Sequence, residues 1–151
     1  MLDTKIPPPV VAIAAAIAMW ALARTAPASG ANDGLRLFAT SLGALLGLAF
    51  VAAGYLALRR AKTTANPVKP ESVSALVTSG VYRLTRNPMY VSLVLLLLAY
   101  GTYLWSLPAL LGPIAFVAYI TRFQIIPEEQ VLEGRFGNEF VEYRRRVRRW
   151  I

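Results

Sequence analysis

No charged residue occurs between Asn87 and Thr121, a run of 35 residues, and this constrains the fold more than any other feature of the chain. A helix needs about 20 apolar residues to cross a bilayer, so the run is too long for a single crossing. At its centre lies "WSLPALLGP". Ser, Pro and Gly in that stretch favour a tight turn near Ser106 to Pro108. The run therefore reads as a helical hairpin of two short spans.

Two earlier segments are also free of charge: Ile6 to Ala23, and Leu37 to Leu58, the latter bounded by Arg36 and by Arg59-Arg60. A proline start at Pro7-Pro8-Pro9 suits a helix beginning near Pro9. None of these segments carries the polar face that a buried helix of a soluble protein keeps. The expected fold is all-α and integral to the membrane, with four spans at about 9–24, 36–58, 88–105 and 108–125. A connecting loop covers 59–87 and a tail covers 127–151, all within one domain.

Composition agrees. The chain is 56% apolar and 16% charged, against roughly 25% charged in soluble domains. It contains no Cys and no His, which excludes disulfides, thiol nucleophiles, imidazole bases and Cys/His metal sites. The net charge of +8 comes from basic residues beside apolar segments. Anionic lipid head groups, not nucleic acid, are the expected counterpart. The N-terminus lacks the charged start and small-residue cleavage site of a removable signal peptide.

Arg59, Arg60, Lys62, Lys69, Arg83 and Arg86 lie in the second connection, and Arg122, Arg135 and "YRRRVRRWI" follow the last span. The first loop has only Arg24 and Arg36. By the positive-inside rule, both termini and the second connection face the cytoplasm. Gly43 and Gly47 form a small-xxx-small pair that lets helices approach closely, within one chain or across a homodimer. The second connection is long for a mere link and is expected to fold over the membrane surface. In the tail, Leu132, Phe136, Phe140, Tyr143, Val147 and Trp150 recur at helical spacing, with Gly134 and Gly137 expected to break it into two short helices. This amphipathic tail either lies along the cytoplasmic leaflet or packs over the loop.

Two polar clusters flank the hairpin. Gly80, Tyr82, Arg83, Arg86, Asn87, Pro88 and Tyr90 precede the third span, and Pro127-Glu128-Glu129 follow the fourth. Because the two spans form a hairpin, the clusters meet at one membrane depth. Singly, each has a plain explanation. The arginines anchor to phosphates, Asn87-Pro88 starts a helix, and the glutamates favour a helix N-terminus. Together they form an interfacial pocket suited to a ligand carrying both ammonium and carboxylate.

"LVTSGVYRLTRNPMY" followed by "IIPEEQVLEGRFGNEFVEYRRRVRRWI" resembles the isoprenylcysteine carboxyl methyltransferase family and the related phospholipid methyltransferases, over about residues 74 to 151. The resemblance implies a membrane methyltransferase, of a small bacterial type and so of the inner membrane. It would use S-adenosylmethionine at the cytoplasmic face, release S-adenosylhomocysteine and act on a lipophilic substrate reached from the bilayer. It implies a cofactor pocket of Arg86, Asn87, Pro88, Tyr90, Glu128 and Glu129, with Gly80 and Tyr82 shaping the loop. Glu129 and Arg86 stand closest to the chemistry, and no metal is required. The chain departs from the family pattern in three places. Asn87 replaces the usual His, Ser92 a Gly, and Gln124-Ile125 stand where some members carry an Arg, so Arg122 receives no role. Rival readings are a nicotinamide-dependent membrane reductase of the sterol type and a non-catalytic four-span protein.

Overall fold

The computed structural model describes residues 6–25, 32–63 and 74–151. Six α-helices account for most of them: α1 (Pro8–Thr25), α2 (Asp33–Arg60), α3 (Pro88–Leu104), α4 (Leu111–Ile120), α5 (Ile126–Phe136) and α6 (Asn138–Arg146). No β-strand occurs among the described residues. Pro8 and Pro9 sit in the first turn of α1, where their missing N–H groups cost nothing. Asn32 caps α2, its side-chain oxygen accepting from the Leu35 N–H at 3.1 Å.

The protein is an all-α integral membrane protein. Pro8–Thr25, Asp33–Arg60 and the continuous helical stretch Pro108–Phe136 are long and apolar enough to cross a membrane, and Pro88–Leu104 is a shorter apolar helix. At 17 residues, α3 stands at the lower limit of about 17 to 25 for a crossing. Large apolar side chains face outward along these helices, including Ile17, Phe38, Leu45, Leu48, Leu111 and Ile114. Outward Leu and Phe are unfavourable in water and neutral in lipid, where the tails are equally apolar.

The hairpin turns where the proline and glycine signals place it. Trp105 ends α3 in the left-handed region, at φ 49°, and a 3₁₀ turn over Pro108–Leu110 leads into α4. Inside, Met19, Leu97, Phe116, Ile120 and Ile125 form a continuous core. The Gly43–Gly47 pair faces α3 within the chain. A Cβ on Gly43 would lie 3.1 Å from the Ala99 Cβ, and one on Gly47 would lie 3.1 Å from the Ser92 carbonyl oxygen.

Two expectations need correcting. The fourth span and the tail were expected to separate at about residues 125 to 127, yet helix continues from Pro108 to Phe136. A π-turn over Thr121–Ile125 makes this possible, with the Ile126 N–H donating five residues back to Thr121. Pro127 has no N–H, and its ring crowds the carbonyl one turn earlier. The wider turn absorbs both, so the helix passes through the proline instead of stopping. The inserted residue also rotates the faces that follow by about 100°. Second, Gly134 does not break the tail; it lies inside α5. Gly137 alone makes the break, at φ 54° and ψ −127°, a backbone state open essentially to glycine.

Of the second connection, residues 64–73 lie outside the described residues. Thr63 and Ser74 on either side lie together, the Ser74 N–H donating to Thr63 Oγ1 at 3.1 Å. The part from Ala75 onward folds against the helices, with Val77 and Thr85 buried.

Candidate active site

A cavity of about 330 Å³ opens where α2, α3, α5 and α6 converge with the loop before α3. Val51 and Leu58 of α2, Leu93 of α3, Leu132 of α5 and Phe140 of α6 make much of its wall apolar. Tyr82, Arg86, Asn87, Pro88, Tyr90, Glu128 and Glu129 all line it, together with Tyr143. The two clusters flanking the hairpin thus share one space, as the hairpin geometry requires. Gly80 does not join them. It is exposed and opens the 3₁₀ turn Gly80–Arg83 at φ +61°, which carries Tyr82 toward the cavity.

The two glutamates occupy different environments. Glu128 Oε1 accepts the Tyr90 hydroxyl at 2.6 Å. Glu129 is held by arginines from two directions. Arg149 donates from Nε to Oε1 at 3.1 Å and from Nη2 to Oε2 at 2.6 Å. Arg86 Nη2 lies 3.1 Å from Oε1, and the side chains of Arg86 and Glu129 are only 8% and 10% exposed. Arg86 Nε and Nη1 are also buried and have no hydrogen-bond partner. A buried guanidinium with two idle donors is costly unless an anion completes it. Burial pulls the Arg86 pKa below its ordinary value while the Glu129 carboxylate opposes that shift. The hydrogen bond to Glu129 raises that of Arg149.

The tail closes over the site. The Arg86 N–H donates to the Arg148 carbonyl at 3.0 Å. The Arg149 carbonyl accepts from Thr85 Oγ1 at 3.1 Å and from Asn87 Nδ2 at 2.9 Å. Thr85 Oγ1 in turn accepts the Asn87 N–H at 3.1 Å. Asn87 stands at the N-cap position of α3, but its side chain makes no cap bond. Its amide holds the tail instead, as only a donor at that position can. Tyr143 donates to the Tyr82 carbonyl at 2.7 Å, and Trp150 Nε1 reaches Thr121 Oγ1 in the π-turn at 3.3 Å. The amphipathic tail thus packs over the loop, one of the two placements open to it.

The sequence pattern of the phospholipid methyltransferase family matches residues 35–139. The chain belongs to the phospholipid methyltransferase family. The family match takes in α2 and ends before Phe140, Tyr143 and Arg149. An uncharacterized protein of Haemophilus influenzae is 48% identical over 63 residues, which is 42% of this chain and 100% of that relative. No solved structure matches.

Sequence reasoning assigned no site role to Arg149, Thr85 or Tyr143. Tyr143 was already visible on the apolar stripe of the tail. Arg149 stands among five arginines between residues 144 and 149, and spacing does not distinguish it from Arg144, which pairs with Glu133 at 2.8 Å.

Proposed function

We propose that this member of the phospholipid methyltransferase family transfers the methyl group of S-adenosylmethionine to a lipophilic, membrane-embedded substrate at the cytoplasmic face. One observation carries the reading: a buried arginine with two unpartnered donors lines the same cavity as a carboxylate. An amino-acid moiety presents the complementary pair, and a volume of about 330 Å³ lies within the roughly 300–1,000 Å³ usual for small-ligand sites.

In this reading Arg86 receives the carboxylate of the cofactor, and Glu128, oriented by Tyr90, receives its ammonium or ribose hydroxyls. Glu129 acts mainly through Arg86, which it neutralises from below. When bound, the cofactor supplies an activated methyl carbon for in-line displacement. The protein then has to align the partners and exclude water. Val51, Leu58, Leu93 and Leu132 supply the dry wall on which an acyl or prenyl chain would lie. For an amine or thiol nucleophile, Glu128 is the better proton acceptor, since Arg86 and Arg149 pair with Glu129 while Glu128 accepts the Tyr90 hydroxyl. The family match favours a phospholipid amine over an isoprenylcysteine carboxylate. The Lys and Arg distribution supports a cytoplasmic site and termini.

The test is to incubate purified protein with labelled S-adenosylmethionine and total membrane lipid. Label is expected in the lipid extract, along with binding of S-adenosylhomocysteine in calorimetry. Failure of both would overturn the reading.

A further inference from the structure

Glu129 has two oxygens, and Arg149 occupies both of them. Arg86 makes a single contact with the same carboxylate, Nη2 to Oε1 at 3.1 Å. Its remaining donors, Nε and Nη1, stay buried and unpartnered on a residue that lines the cavity. Guanidinium and carboxylate prefer a two-pronged pairing. Without a competitor, Glu129 would engage Arg86 through both oxygens and take up one of the two donors the cavity now has in reserve.

The geometry assigns Arg149 the role of a positioning residue: by pairing in two-pronged fashion with Glu129 it leaves Arg86 only an edge contact and keeps its other donors for a carboxylate in the cavity. The assignment rests on the proposed cofactor reading and extends it to a residue beyond the family match, which ends at residue 139. Arg149 is not among the residues that line the cavity, so it acts through Glu129 and Arg86. Its main chain serves a separate purpose, since the carbonyl that receives Thr85 and Asn87 survives any change of side chain. Trp150 and Tyr143 likewise hold the tail independently. A substitution at Arg149 thus removes the grip on Glu129 and leaves the anchorage of the tail.

Calorimetry on the full-length protein in detergent, with two ligands, separates this role from a structural one. S-adenosylhomocysteine carries the amino-acid carboxylate, and 5′-methylthioadenosine lacks it. Arg149→Ala is expected to weaken the first at least tenfold and to leave the second within twofold of wild type. In a Glu129→Gln background, Arg149→Ala should add little. Arg149→Lys, which keeps the charge but loses the fork, should show a smaller loss with the same ligand selectivity, and it serves if the alanine variant fails to fold. Equal weakening of both ligands, unchanged affinity for S-adenosylhomocysteine, or additive effects of the two substitutions would overturn the role. If wild-type protein binds neither ligand, the cofactor reading itself fails and this role falls with it.

Discussion

Arg149 and Glu129 lie 20 residues apart in sequence, on opposite sides of the glycine break at Gly137, yet they share two hydrogen bonds at 3.1 Å and 2.6 Å. The pair joins the end of the chain to the helix that leaves the hairpin. It also places the negative charge of Glu129 beneath Arg86.

Removing that charge should be costly. Glu129→Gln leaves two arginines facing a neutral amide, one of them almost fully buried. Breaking a buried pair in this way typically costs about 3–5 kcal/mol, and the half-exposed Arg149 puts the expectation at the lower end. Thermal unfolding in detergent should register the loss. Glu128→Gln should cost less stability, because the group bonded to Glu128 is the Tyr90 phenol and not a cation.

Gly47 sets the distance between α2 and α3. A Cβ there would lie 3.0 Å from Leu96 Cγ and 3.1 Å from the Ser92 carbonyl oxygen, which is backbone and cannot yield easily. Gly47→Ala should destabilise by about 1–3 kcal/mol, the usual cost of overpacking. Gly47→Leu should force the helices apart, and Val51 and Leu58 would leave the cavity wall with α2. Denaturant unfolding and ligand calorimetry check both outcomes.

Two neighbouring glycines should respond with opposite signs. Gly137 holds φ 54° and ψ −127°, so Gly137→Ala should cost about 1–3 kcal/mol and shift α6 with Phe140 and Tyr143. Gly134 sits in the exposed interior of α5, and a Cβ there would meet nothing within 4 Å. Gly134→Ala should therefore stabilise by up to about 1 kcal/mol through helix propensity. Melting temperatures of the two variants, measured side by side, decide the matter.

Alkaline pH should weaken the fold through Tyr82. Burial, with the Glu128 carboxylate adding to it, pushes this phenol up from 10.0 to about 12. The folded state thus holds the proton more tightly than the unfolded chain does. The resulting stability is complete below pH 10 and is lost as pH rises from about 10 to 12. Tyr82→Phe should reduce the slope of that part of the stability–pH curve, as followed by unfolding at fixed denaturant, and tyrosinate absorbance of the native protein should rise late.

Much of this architecture is legible in the chain itself. Uncharged runs longer than a bilayer needs, interrupted by "WSLPALLGP", specify helices, a hairpin and an apolar exterior, because unpaired backbone groups and charges are too costly in lipid. The hairpin then obliges the loop around Arg86 and the helix around Glu129 to meet, whatever the details of packing. Tertiary structure decided what local pattern could not. Pro127 marks a helix boundary by every local rule, and only the π-turn, supported by the core around Ile120 and Ile125, carries the helix through it. The arginines of the tail are equivalent in sequence. Arg149 became the partner of Glu129 because the path of the chain after Gly137, held by Tyr143, Trp150 and Asn87, returns it to the site. Charge pairing at short range depends on where the backbone returns, and that is a property of the packed fold.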